Sequence, residues 1–86
     1  MTIGTLSSSI SALNIRKGPS TDYAIADDAL AGGSSVRIYG EQNGWYSLSP
    51  SKSIGESDSR WCSKFLDDKN VWSLEEKEIE ISTGGT

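Results

Sequence analysis

Histidine is absent from the chain of 86 residues, and cysteine occurs once, as Cys62. Without histidine the chain lacks the commonest general base, the usual activator of a serine or cysteine nucleophile and a preferred nitrogen ligand for metals. A single cysteine excludes an intramolecular disulfide, so the fold must rest on its apolar core. Cationic residues are scarce: 8 Lys and Arg stand against 12 Asp and Glu, for a net charge of −4. That balance argues against any binding mode that neutralises phosphates, so no nucleic acid is expected as a partner. Residues 1–20 hold no basic run followed by a continuous apolar stretch, and no window is apolar enough to cross a bilayer, so neither a secretion signal nor membrane insertion is read from the sequence.

At this length one core and one domain are expected. Helical periodicity is missing, and short segments of alternating apolar and polar residues are separated by turn signals, which points to an all-β fold. Residues 2–11 mix Ile3, Leu6 and Ile10 with Ser, Thr and Gly and read as a strand. In Leu13-Asn14-Ile15-Arg16 the alternation sends Leu13 and Ile15 to the core and Asn14 and Arg16 outward. Gly18-Pro19 then takes the chain into a long excursion whose inward anchors are expected to be Tyr23, Ile25 and Leu30. Gly32-Gly33-Ser34-Ser35 is a turn, and Val36 to Tyr39 form an alternating strand. Asn43-Gly44 is the signal for a tight hairpin, with Gly44 at positive φ. In the returning segment Trp45-Tyr46-Ser47-Leu48, Tyr46 and Leu48 share the inner face and Trp45 takes the outer one. Residues 49–59, rich in serine, read as a hairpin tip, and Trp61 and Phe65 as core. Further on, the alternation Glu78-Ile79-Glu80-Ile81 suggests an edge strand, with residues 83–86 disordered.

No constellation for catalysis emerges. Cys62 has no histidine to activate it, and its place beside Trp61 in a β segment marks a buried structural thiol. The carboxylate pairs Asp27-Asp28, Asp67-Asp68 and Glu75-Glu76 are sequence neighbours in polar surroundings, which suits solvated charge better than a cleft, and their spacing fits no calcium loop. Gly32-Gly33-Ser34-Ser35 lacks the lysine and helix of a phosphate-binding loop. No catalytic residue, metal ligand or cofactor is therefore expected.

The order of the remaining signals is more specific. Leu13-Asn14-Ile15-Arg16-Lys17-Gly18-Pro19-Ser20, Tyr23, Gly33-x-x-Val36-x-Ile38, Asn43-Gly44-Trp45-Tyr46, and Trp61 with Phe65-Leu66 resemble the bacterial SH3-like family over about Thr5 to Leu66. The resemblance implies a small SH3-like β-barrel of five to seven strands in residues 1–66, with residues 67–86 as a C-terminal extension. It also implies a non-catalytic module that recognises a peptide, such as a cell-wall (peptidoglycan) peptide, or a protein partner, through an aromatic groove. Tyr23 and Trp45 are the expected aromatic walls of that groove, with Asn14 and Arg16 as hydrogen-bonding groups. The acidic average of the chain favours ligands carrying free amines. The alternative is an assembly protein, such as a virion accessory subunit or a subunit of a secreted machine, forming a homo-oligomer through its tail. A cell-envelope, extracellular or virion-associated location is expected ahead of a cytoplasmic one.

Overall fold

The structure, a computed structural model, describes residues 1–51 and 53–77. Among these residues there is no helix. The chain forms β1 (Thr2–Leu6), β2 (Ala12–Leu13), β3 (Leu30–Ala31), β4 (Ser35–Ile38), β5 (Gly40–Gln42), β6 (Trp45–Ser47), β7 (Trp61–Ser63), β8 (Phe65–Leu66), β9 (Lys69–Asn70) and β10 (Trp72–Glu76). Every pairing is antiparallel, and the strands group into four small open sheets, ordered β10-β1-β4, β2-β3, β5-β6-β7 and β8-β9. The chain passes from the first three-stranded sheet to the second at Tyr39, whose N–H donates to the Ser47 carbonyl at 2.8 Å.

The sheets cover one core, built from Leu6, Leu13, Ile38, Tyr46, Cys62, Val71 and Trp72, with Ile10, Ile15, Leu30, Val36 and Leu48 packed on its margin. Two of these, Val71 and Trp72, come from the last described segment. Trp72 stands edge-on to Tyr46, ring centroids 5.4 Å apart, and its Nε1 donates to the Ser63 carbonyl at 2.8 Å. Gly4 makes room for this closure, because a Cβ there would lie 2.9 Å from the Trp72 ring and 3.0 Å from Ile38.

The alternation at Leu13–Arg16 and at Trp45–Leu48 is realised: Leu13 and Tyr46 are buried, Ile15 and Leu48 pack on the core, and Asn14 is exposed. The turn at Asn43-Gly44 has φ of 57° and 76° and joins Gln42 to Trp45 across β5 and β6. Both residues lie in the left-handed region that a two-residue hairpin demands. Gly44→Val is expected to destabilise the domain by about 1–3 kcal/mol through backbone strain, which chemical denaturation would measure; an unchanged midpoint would remove Gly44 from that role.

Other expectations are corrected. The first strand ends at Leu6, because the Ser7 hydroxyl meets Ser9 and turns the chain. Ile25 is 54% exposed rather than an inward anchor. Its main chain bridges to Arg16, and directly paired antiparallel residues share a face; Ile25 therefore follows Arg16 outward. Phe65 is 45% exposed rather than core. The hairpin-tip reading of residues 49–59 holds, since the segment joins the paired strands β6 and β7, and Ser53 and Gly55 bond back to the body of the fold, as described below. The expected edge strand at Glu78–Ile81 and the disordered end at 83–86 lie outside the described residues.

Candidate ligand groove

Cross-strand partners place a defined set of side chains on the outer face of the β5-β6-β7 sheet. Trp45 pairs with Ser63, Ser47 with Trp61, and Trp61 bridges to Arg16 through reciprocal N–H to carbonyl bonds of 2.8 Å. Alternation adds Asn14, two residues before Arg16. Tyr46 and Cys62, directly paired on the opposite face, belong to the core.

The serine-rich loop covers one end of this outer face. Trp61 is 1% exposed, and its Nε1 donates to the Ser53 carbonyl at 2.8 Å. Ser53 also donates to Asp58 at 2.8 Å and shares a hydrogen bond with the buried Ser59 hydroxyl, which accepts the Glu56 N–H at 3.0 Å. The hydroxyls of Ser51 and Ser53 hold the Asp58 carboxyl below its ordinary pKa. Gly55 N–H donates to the Lys17 carbonyl at 2.7 Å, which ties the loop to the segment after Arg16.

The other end of the face remains open as a groove of about 180 Å³. Its apolar lining is Leu13, Trp45, Phe65 and Leu66, and its polar lining is Asn14, Arg16, Thr21 and Ser63. Phe65 and Leu66 reach it because β8 and β9 form their own hairpin, turned by Asp67 and Asp68 at φ of 52° and 64°. The Lys64 ammonium lies 5.6 Å from the Phe65 ring and is paired with Glu41 at 2.8 Å, a hydrogen bond that raises its pKa. A larger concavity of about 440 Å³ opens between residues 5–8 and 70–73. It offers hydroxyls and main chain but no exposed aromatic ring, since Trp72 is only 9% exposed.

Three of the four residues expected to form a site thus meet in one groove: Asn14, Arg16 and Trp45. Tyr23 does not line it. Its ring lies over Gly18, where a Cβ would fall 2.5 Å away, and approaches Gly55. The Tyr23 carbonyl instead accepts the Arg16 Nη1 at 2.9 Å. Phe65 and Leu66 take the place sequence reasoning gave to Tyr23 as the facing wall. The available signal for them was the polar tetrapeptide Asp67-Asp68-Lys69-Asn70, which read as a hairpin turn would have put Phe65 and Leu66 on a projecting ribbon.

The Thr21 and Ser63 hydroxyls are the nucleophilic atoms among the residues that line the groove. The Cys62 thiol lies behind it, donates to the Asn14 carbonyl at 3.5 Å, and is pushed by burial up to about 12. It should resist alkylation by iodoacetamide in the folded protein at mildly alkaline pH, and react on unfolding. Because its neutral form is favoured by folding, the stabilisation is complete below the ordinary value of 9.0 and is lost as pH rises toward 12. The denaturation midpoint should accordingly fall across that range. Burial also raises the Tyr46 pKa, so Cys62→Ala should flatten only part of the fall.

The fold is a small all-β domain with an open groove on one sheet face. Residues 11–67 match the bacterial SH3 domain, and the chain belongs to that family. The matched span holds the whole groove lining, whereas β1 and β10 lie outside it. Domains of this family are generally binding modules, typically without catalysis, and often occur in cell-wall-associated or extracellular proteins. No curated protein and no solved structure matches the chain.

Proposed function

We propose that this domain is a non-catalytic module that binds an extended peptide, such as a cell-wall peptide or a segment of a protein partner, in the groove between Trp45 and the β8-β9 hairpin. The reading includes the family's barrel form, with the four sheets wrapped around the single core. The observation that carries it is the convergence of the exposed Phe65 and Leu66 and the half-buried Trp45 with polar side chains on one sheet face. Trp45 and Phe65 offer flat faces with little side-chain entropy to lose, while Asn14, Thr21 and Ser63 can satisfy peptide N–H and C=O groups. Tyr23 serves the groove indirectly, by holding the Arg16 guanidinium through its carbonyl.

The test is a titration of cell-wall fragments and candidate partner peptides into isotope-labelled protein, following amide shifts. Trp45→Ala and Phe65→Ala should each weaken binding by about 1–4 kcal/mol, the range for aromatic anchors, with little loss of stability because neither ring is in the core. If Trp45→Ala instead destabilises the fold and leaves binding per folded molecule unchanged, the ring is only a cover for the sheet end. Shifts confined to the serine-rich loop or to β10 would place the binding surface elsewhere.

A further inference from the structure

The groove carries a charge opposite in sign to the chain around it. Of its lining residues Arg16 alone is ionised, in a protein of net charge −4. Of the other cations near this face, Arg60 is paired with Asp27 at 2.6 Å and Lys64 with Glu41 at 2.8 Å, while Lys17 and Lys69, which stands opposite Leu66, do not line the groove. Among the described residues no carboxylate forms an ion pair with Arg16. One guanidinium N–H is committed to the Tyr23 carbonyl at 2.9 Å, which fixes the side chain, and the planar fork retains further donors. A pre-positioned guanidinium at the edge of an apolar groove is suited to bind a carboxylate through paired, charge-assisted hydrogen bonds.

We infer that the groove binds the C-terminal end of a peptide, with the terminal carboxylate on Arg16 and an apolar terminal side chain against Trp45, Phe65 and Leu66. This rests on the proposed peptide groove and specifies its ligand. The size of the groove, about 180 Å³, suits one side chain and a chain end better than a strand running through. A terminal residue carries its carboxylate and its side chain on the same Cα, so a single residue engages both Arg16 and the aromatic wall. An aspartate or glutamate within a chain would spend its side chain on Arg16 and leave that wall empty. Asn14, on the same face about 7 Å along the strand from Arg16, then stands beside a peptide group farther into the ligand. The overall acidity of the chain acts at longer range, where salt screens it, and the fixed local cation sets the preference.

The experiment uses the whole chain and three probes: N-acetyl-Ala-Ala-Leu with a free carboxylate, the same peptide as its C-terminal carboxamide, and N-acetyl-Ala-Asp-amide. The free acid should shift the amides of Asn14, Arg16, Trp45 and Phe65 at millimolar concentration or below. The other two should bind roughly tenfold to a hundredfold more weakly, the range for losing a hydrogen bond to a charged group. Arg16→Met, checked for a native dispersed spectrum, should bind acid and carboxamide alike. The acid–carboxamide comparison is made on the unmodified protein and does not depend on that variant folding. Equal binding of acid and carboxamide in the groove would overturn the inference and leave the peptide groove standing. Equal binding of the aspartyl peptide would assign Arg16 to side-chain carboxylates and overturn it as well. If the free acid leaves the groove amides unmoved, the inference fails outright, and shifts elsewhere would remove the groove reading with it.

Discussion

Truncation after Asp68 is expected to leave the chain largely unfolded at room temperature. The cut removes Val71 and Trp72 from the core and strips β1 of its partner along the whole register from Thr2↔Glu76 to Leu6↔Trp72. Loss of a buried tryptophan costs about 3–5 kcal/mol on its own. Domains are stable by only about 5–15 kcal/mol in total, and one this small sits toward the lower end. β1 would then be held only by β4, with the buried Gly4 and Leu6 opened to water on the other side. Circular dichroism and the dispersion of amide shifts would read the outcome. Trp72→Ala in the full chain is the graded companion: a cooperative transition at a lower denaturant midpoint is expected there, as Tyr46 loses its edge-on partner and the Ser63 carbonyl its donor. A truncated protein that melts where the parent does would show that β10 is an appendage.

This closing strand also illustrates what can and cannot be read from the residues. The turn at Asn43-Gly44 was legible because a two-residue hairpin needs left-handed backbone, and that pair meets the need with least strain. The faces at Leu13–Arg16 and Trp45–Leu48 were legible because a half-buried strand must alternate. β10 has no such pattern: Trp72 is buried, and Ser73, Leu74, Glu75 and Glu76 are all exposed. One anchor at the strand start is enough to hold it against β1, and one anchor leaves no period. The alternation farther on, at Glu78–Ile81, therefore drew the strand assignment.

The same reasoning explains the facing wall of the groove. β8 spans only Phe65 and Leu66, too short for alternation to say which side faces the core. Composition argued for burial, since large apolar residues are usually inside. The hairpin turn at Asp67-Asp68 overrides it by projecting both residues from the body of the fold. The serine-rich loop is the hairpin connection that its composition indicates, and most of its described residues are exposed. Its contact with Trp61 is not legible, because it depends on hydroxyls spent on one another, on Asp58 and on main-chain groups, which lets a polar segment lie over an apolar ring.

That arrangement makes Trp61→Ala the second substitution of large expected effect, about 3–5 kcal/mol of stability. The ring lies on the outer face of the sheet, 1% exposed, with the loop as its cover and the Ser53 carbonyl as acceptor for its indole N–H. Removing it leaves a void beneath the loop at Ser53 and an unpaired carbonyl, so the loss should fall first on the loop. Hydrogen exchange is the informative readout. The Gly55 and Glu56 amides, bonded to the Lys17 carbonyl and the Ser59 hydroxyl, should lose protection before the Tyr39 and Arg16 amides do. Trp61→Phe separates packing from hydrogen bonding: it keeps most of the ring and drops the donor, and should cost about 1–3 kcal/mol, the penalty for a buried acceptor left without its partner. Exchange that rises uniformly across the sheet in both variants would mean that Trp61 supports the core as a whole and that the loop is not held by it. With the loop released, the outer face would lie open from Trp61 to Trp45. Ligand titration of Trp61→Ala under stabilising conditions should still find the groove at Trp45 and Phe65, because neither residue depends on the loop for its position.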